Sequence, residues 1–416
     1  MAFKRDLLEE VVADQALSFA SRNRGIARSV NFDNHKKSKM ITVISGVRRS
    51  GKSTLLSQFF DLLGDGHYLN FDDERLSEFV LEDFRTLLSI FDGKKESDTF
   101  FFDEIQNVSG WERFVRRLHD EGKKVFVTGS NATLLSGELG THLTGRYKKI
   151  ELYPFSFSEY ICFKKINITD KTSKNCAKIV RGFDEYAETG GFPGFLFEND
   201  REILQRIYED ILYRDLLVRF QIREVDAFRK LASFLFANVG KNIGYSSLKN
   251  VLGFASATSV KNYVSFLEES FLLFEMRKYD ASLKKQYVSE KKIYTVDNGL
   301  RNAISFSASE DRGRMLENAV YMELRRRGKD MFFFKEKQRE CDFVVRKGIR
   351  ITEAIQVCEN ISDPETKDRE VSGLVEAMDE LHLSSGTIIT RYEEETIEIE
   401  GKKIYIVPAW KWFLEI

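Results

Sequence analysis

The stretch Gly46-Val47-Arg48-Arg49-Ser50-Gly51-Lys52-Ser53-Thr54 has residue types and spacing suited to holding phosphate. It fits G-x-x-x-x-G-K-[ST], in which glycines permit a tight turn whose backbone N–H groups converge on anionic oxygens. Lys52 is placed to reach β- and γ-phosphates, Ser53 to ligate Mg²⁺, and Gly46 through Thr54 to line the nucleotide. Arg48 and Arg49 have two readings, contact with phosphate or a partner, and simple solvation. A loop of this kind needs a second metal-binding element, and "DTFFFDEIQNV" (98–108) supplies one. Asp103, closing an apolar strand, suits a water-mediated hold on Mg²⁺. Glu104, directly after it, suits orienting an attacking water. The bland alternative for this pair is a capped loop after a core strand.

Two more residues complete the candidate catalytic set with Lys52 and Glu104. "KKVFVTGSNATLLSG" (123–137) reads as a buried strand ending at Ser130 and Asn131. The Asn131 side chain suits contact with the γ-phosphate or the water, while a helix N-cap by Ser130 or Asn131 is equally compatible. Arg146, in "HLTGRY", is placed to act as a finger on a neighbouring subunit's nucleotide, which would imply a homo-oligomer. A surface ion pair is its rival reading.

These residues need elements to position them. "KMITVIS" before the loop is a β-branched, apolar strand, and "STLLSQFFDLL" after it has helical apolar spacing. Further strands fit "HYLNF" (67–71) and "YKKIELYPF" (147–155). Five strands alternating with helices predict a parallel α/β sheet with phosphate at its carboxyl edge.

Composition bounds the rest. A chain of 416 residues suggests roughly two to three domains. With 64 Lys+Arg against 65 Asp+Glu the net charge is −1, so attraction to nucleic acid must come from local patches. Cys162, Cys176, Cys341 and Cys358 form no CxxC pair, which fits a reducing compartment. The N-terminus carries acids where a signal peptide needs an apolar run, and no apolar stretch reaches the ~18 residues of a membrane span. The expectation is a soluble cytoplasmic protein with no membrane partner.

Taken with "LYPFSFSEY", "ETGGFPGF", "KIYTVDNGLRNAI" and "ECDFVV…AIQVC", the motifs run through nearly the whole chain. In them the sequence resembles the archaeal and bacterial AAA+-type ATPases that join a P-loop domain to a winged helix and a C-terminal restriction-endonuclease-like domain. The resemblance implies an α/β fold: a P-loop ATPase domain over 1–160, a helical lid and winged helix over 161–280, and a restriction-endonuclease-like domain over 281–416. It implies ATP and Mg²⁺ as cofactors and ATP hydrolysis as activity. No guanine-reading N-K-x-D is visible. The turn at Gly190, Gly191 and Pro193 would, by resemblance, close over or beside the nucleotide domain, and a structural hinge is the preferred reading.

Residues 201–239 repeat apolar positions at helical spacing. Next, Ser246 or Ser247 is expected to cap a short helix, Gly253 to turn, and Ser256 to Ser259 to cap a helix running to Glu269, with "FLLFEMRKYD" as a strand. This is the order of a winged helix–turn–helix. Between 228 and 292 there are 11 Lys+Arg against 5 Asp+Glu, an excess of 6. Lys249, Lys261 and Asn262 could therefore face duplex DNA, although winged helices also dock proteins. In the last third, Glu317 on a helix and Asp342 on a hairpin make a poor metal site by themselves. Where a nuclease needs an acid-x-Lys pair the chain has Gln356 and Cys358. Glu353 faces the other side of its strand. Gln356 is expected to donate hydrogen bonds to Asp342, leaving a nuclease-like fold without its activity. An ATP-gated nuclease and a nucleotide-dependent protein-docking module are the alternatives.

Overall fold

The computed structural model describes residues 4–94, 96–129, 143, 145–305, 312–336 and 339–416. The chain divides into two compact units, Met1–Tyr153 with Glu269–Phe271, and Pro154–Glu268 with Leu272–Ile416.

The first unit is built on strands β1 (Ile41–Gly46), β2 (His67–Asn70), β3 (Thr99–Asp103), β4 (Lys124–Gly129) and β5 (Tyr147–Leu152). They form a parallel sheet in the order β2-β3-β4-β1-β5. The central β1 is buried at every position, as a parallel strand covered on both faces must be. Alternation along β3 sorts its aromatics. Phe100 and Phe102 join Val43, Leu69, Val125 and Val127 on one face. Phe101 joins Ile44 and Phe126 on the other. The first face is covered by α1 (Arg5–Ser21), α4 (Phe84–Lys94) and α5 (Trp111–Asp120) through Leu8, Val11, Phe84, Leu87, Phe114 and Val115. The second is covered by α3 (Lys52–Leu63) through Leu55, Leu56 and Phe59, with Phe32 of the short helix α2 (Phe32–Lys37) packed against them. Each fully buried side chain of this size stabilises by roughly 1.5–3 kcal/mol. Strand β5 ends at Leu152, short of the expected 155, because Pro154 cannot donate to a ladder.

In the second unit, helices Phe157–Phe163 and Ser173–Thr189 start at hydroxyl caps, Ser156 and Thr172. The long helical stretch expected over 201–239 is broken. Helix Glu202–Asp210 continues as a π-wound segment, Ile211–Leu217, and Gln221 then turns left-handed (φ 49°) before helix Val225–Ala237. Helices Tyr245–Leu252 and Ala257–Glu269 follow, joined through Gly253 (φ 74°). Ser256 caps the latter as expected, its Oγ accepting from Ser259 N–H at 3.0 Å. Ser246 and Ser247 do not cap the former. That helix starts at Tyr245 behind Gly244, and both serines lie exposed in its first turn. Tyr245 donates its hydroxyl to Glu275 at 2.5 Å, which draws the helix start upstream of the serines.

Strands β6 (Asn242–Ile243), β7 (Leu273–Arg277) and β8 (Lys291–Thr295) form a small antiparallel sheet in the order β6-β8-β7. A mixed six-stranded sheet closes the chain. It comprises β9 (Asp330–Glu336), β10 (Arg339–Lys347), β11 (Arg350–Val357), β12 (Ser385–Thr390), β13 (Glu395–Ile399) and β14 (Lys402–Pro408). Helix Pro364–Glu380 packs Val371, Leu374, Ala377 and Met378 into its core.

The Gly190-Gly191 turn is held within this unit. Asp297, buried, accepts from Gly191 N–H at 2.7 Å and from Leu300 N–H at 3.0 Å. A Cβ on Gly190 (φ 72°) would fall 2.1 Å from the Asp297 carboxylate. The double glycine is thus a clasp for Asp297 that no side chain can enter. Among the described residues, no helix is long and apolar enough to cross a membrane.

Candidate nucleotide site

The carboxyl ends of β1, β3 and β4 lie side by side, so the loop after β1, Asp103 after β3 and Thr128 near the end of β4 share one edge of the sheet. Gly46 (φ 153°) must be glycine, because a Cβ there would sit 1.9 Å from the Leu152 carbonyl oxygen of paired β5. Arg49 (φ 66°) and Gly51 (φ 96°) turn the chain left-handed, and α3 begins at Lys52 with its first-turn N–H groups at the loop. Arg28, buried, braces the loop by donating to the carbonyls of Ser50 at 2.7 Å and Tyr153 at 2.6 Å. The Lys52 ammonium lies inside the loop, 3.2 Å from the carbonyls of both Gly46 and Val47.

Asp103 is 1% exposed and accepts hydrogen bonds from the hydroxyls of Thr128 and Tyr68, the latter at 3.2 Å, with the Ser53 hydroxyl near its carboxylate. Burial and the adjacent Glu104 charge push its carboxyl above the usual range, opposed by Thr128 and Ser53. Glu104 sits left-handed (φ 49°), a conformation that costs a non-glycine residue free energy and concentrates at functional sites. Its N–H donates to Thr128 Oγ1 at 3.0 Å, and its Oε2 accepts from Gln106 Nε2 at 2.6 Å.

A nucleotide with Mg²⁺ fits these residues. The Ser50 hydroxyl is buried and, among the described residues, has no hydrogen-bond partner. The Ser53–Asp103 contact unites a loop hydroxyl and a carboxylate, the hard oxygen donors that Mg²⁺ takes. Lys52 and Ser53 after β1 and Asp103 and Glu104 after β3 thus lie along one edge of the sheet. Asn131 and Ser130 lie outside the described residues. Arg146 precedes β5 and pairs through Nε with Asp120 Oδ1 at 3.2 Å, a contact of the kind its surface reading foresees. Thr128, Tyr68 and Gln106 were missed by sequence reasoning. For Gln106 the signal was its position two residues after Glu104.

A second cluster lies in the other unit. Lys292 of β8, 4% exposed, places its ammonium 2.9 Å from Glu317, 2.7 Å from Glu340 and 3.0 Å from Asp342. Tyr294 donates to Glu317 Oε1 at 2.7 Å. Burial opposes the Lys292 charge, but the surrounding acids hold its ammonium well above the ordinary lysine range. Burial, with Asp342 nearby, pushes Glu317 up to about 7 against the pull of Lys292. Gln356 does not donate to the Asp342 carboxylate. Its oxygen accepts Asp342 N–H at 3.1 Å, and its amide nitrogen turns to Glu370 at 2.6 Å. The Asp342 carboxylate is already supplied by Lys292 and by Val357 N–H at 3.0 Å. Glu353 points elsewhere, to Lys329 at 2.6 Å. Burial raises the Cys358 thiol to about 11, so it stays protonated. Among the described residues, no group of three or more His, Cys, Asp or Glu is arranged to hold a metal ion.

A family model described as "AAA domain" matches residues 38–161, and a "Domain of unknown function" model matches 180–311. The chain is 35% identical to "Uncharacterized protein MJ1544" of Methanocaldococcus jannaschii, over 100% of this chain and 96% of that protein. It is 33% identical to an "Uncharacterized protein" of Haemophilus influenzae, over 94% and 98%. Two solved structures are similar at low scores. AMPPCP-bound DnaA from Aquifex aeolicus has a TM-score of 0.26 and 16% identity over 57% of this chain and 85% of that one. Cdc6p from Pyrobaculum aerophilum has 0.23 and 10% over 76% and 93%. At these scores the likeness decides nothing about function.

Proposed function

The chain belongs to one family with the M. jannaschii and H. influenzae proteins and carries a segment that matches an AAA-domain model, and we propose that it is an Mg²⁺-dependent ATPase or ATP-controlled switch. The observation that carries this reading is the buried Asp103 carboxylate, which takes the Thr128 and Tyr68 hydroxyls at the same sheet edge as the loop that encloses the Lys52 ammonium. In it Lys52 and the backbone N–H groups from Gly46 to Thr54 bind phosphates, and Ser53 and Asp103 hold Mg²⁺. The metal, when bound, neutralises phosphate charge and orients the reacting group. Glu104 orients the water and takes its proton, with Gln106 fixing the carboxylate. Asn131 is assigned contact with the γ-phosphate or the water, and Arg146 a finger role in a homo-oligomer, for which it must leave Asp120.

The helix pair Tyr245–Leu252 and Ala257–Glu269 with its following strands is read as a winged helix that contacts duplex DNA. The segment 281–416 is read as a restriction-endonuclease-like scaffold whose metal site has been lost, supported by the ammonium among its acids.

The ATP reading is tested by calorimetric titration of Lys52→Ala with ATP·Mg. Binding weakens by on the order of 100-fold, the worth of a charged contact to phosphate, while the fold stays intact. Wild-type affinity in a folded variant would sink it.

A further inference from the structure

Helix α1 delivers an arginine to the metal-binding aspartate. The helix is fastened to the carboxyl end of β2. Gln15 donates to the Asn70 carbonyl at 3.0 Å and accepts Asn70 N–H at 2.7 Å, and Asn70 is the register neighbour of Asp103. Seven residues on, Arg22 leaves the helix as its C-cap, with Phe19 stacked on Tyr68 beneath it. The Arg22 guanidinium lies over the Phe19 ring at 5.6 Å. Its Nη1 is 4.0 Å from Asp103 Oδ2, too far for a hydrogen bond. That nitrogen is buried with no hydrogen-bond partner among the described residues, while the rest of the guanidinium, a third exposed, lies against the Tyr68 hydroxyl.

Asp103 attracts the guanidinium but stands too far off to accept from Nη1, and its oxygens already receive the Thr128 and Tyr68 hydroxyls. A desolvated guanidinium N–H without an acceptor is costly, so a rigid element that holds one in place is suited to an anion that arrives later. Ser53 and Asp103 mark where Mg²⁺ would stand, and in P-loop enzymes the metal joins the β- and γ-phosphates. A donor 4.0 Å from Asp103 stands at the same sheet edge as the residues that would hold that metal.

We propose that Arg22 Nη1 donates to the γ-phosphate of bound ATP, so that the site distinguishes the triphosphate from the diphosphate through a residue of α1. This rests on the ATP reading above. It makes Arg22 a substrate-binding residue contributed by the same chain, outside the loop motif and its partner strand.

The test compares affinities for a non-hydrolysable ATP analogue and for ADP, each with Mg²⁺, by calorimetry on the full chain. Wild type, Arg22→Ala and Arg22→Gln are titrated, the glutamine keeping a stem against Phe19 without the charge. In both variants analogue affinity falls roughly 10- to 100-fold, the range of a charge-assisted hydrogen bond, while ADP affinity changes less than about threefold. Melting temperatures identify a variant that fails to fold, in which case the glutamine form decides. Equal losses for both nucleotides would show that Arg22 only supports the fold, and no loss would show that it does not touch phosphate. Either outcome overturns the assignment. A wild type that binds neither nucleotide would instead overturn the ATP reading, and this inference with it.

Discussion

The loop after β1 and the cluster around Lys292 both gather charged side chains where water is scarce, and they resolve that problem in opposite ways. At the loop, Ser50 Oγ and Arg22 Nη1 are buried without hydrogen-bond partners among the described residues, and Glu104 and Arg49 hold left-handed backbone. At Lys292 a cation reaches three carboxylates between 2.7 and 3.0 Å, with Tyr294 and Val357 N–H supplying further donors. Buried polar groups are costly unless paired. A region that leaves them unpaired and strained is suited to a ligand, and one that pairs them internally is suited to staying shut. The contrast separates a region suited to the proposed nucleotide from one that is locked internally, although both gather residue types that could do chemistry.

The largest expected effect breaks the lock. Lys292→Met removes the cation but keeps an apolar stem, leaving Glu317 and Asp342 buried without it. Breaking a buried pair from one side costs about 3–5 kcal/mol. For a unit of this size the melting temperature should fall by roughly 10 °C. Glu317→Gln should cost much less, because burial already pushes that carboxyl up and the amide keeps an oxygen to accept from Tyr294 and Lys292. Differential scanning calorimetry on both variants is the check. Equal, small shifts would mean that Lys292 is not holding the acids. Cleavage of supercoiled DNA by wild type in Mn²⁺, lost in Asp342→Ala, would show that the cluster opens to metal after all.

The next effect tests the open side. Glu104→Gln preserves size and the backbone bond to Thr128 but removes the negative charge. ATP·Mg affinity should stay within a few-fold while hydrolysis falls about 100-fold or more, the lower part of the range for a lost general base. Single-turnover kinetics beside an equilibrium titration separates the two. Hydrolysis at the wild-type rate would reduce Glu104 to a turn residue.

Legibility in the sequence followed distance along the chain. Gly46 to Thr54 and the Asp103–Glu104 pair could be read because each motif is local and its elements, β1, α3 and β3, carry their own apolar periodicity. The central strands of the parallel sheet were legible for the same reason. Lys292 could not be read as the partner of Glu317 and Asp342, which lie 25 and 50 residues away on other elements. Arg22 was hidden likewise, since only the docking of α1 on β2 brings it to Asp103. The role of Gln356 was misread because Glu370, on a later helix, outcompetes Asp342 for its amide. Ser246 and Ser247 have good cap chemistry, but the Tyr245–Glu275 contact fixes the helix start first. Local rules failed where a tertiary contact held the alternative more strongly.

The smallest effect concerns the basic stretch between 228 and 292, part of whose charge is spent inside the fold. Lys292 belongs to the excess of 6 yet is buried among acids, so it cannot meet phosphate. Lys261 and Asn262 are exposed on helix Ala257–Glu269, and Lys249 is half-buried on Tyr245–Leu252. Weak duplex binding with little sequence choice is expected from so few cations, because counterion release drives it and each phosphate contact adds about 0.9 to the slope of log affinity against log salt. Replacing Lys249 and Lys261 with Glu should lower affinity roughly tenfold at every sequence and reduce that slope by about 2. Fluorescence anisotropy across a salt series provides both quantities. Loss at one sequence alone would indicate base reading instead of phosphate contact. No binding by wild type even at low salt would make this helix pair a protein-docking surface.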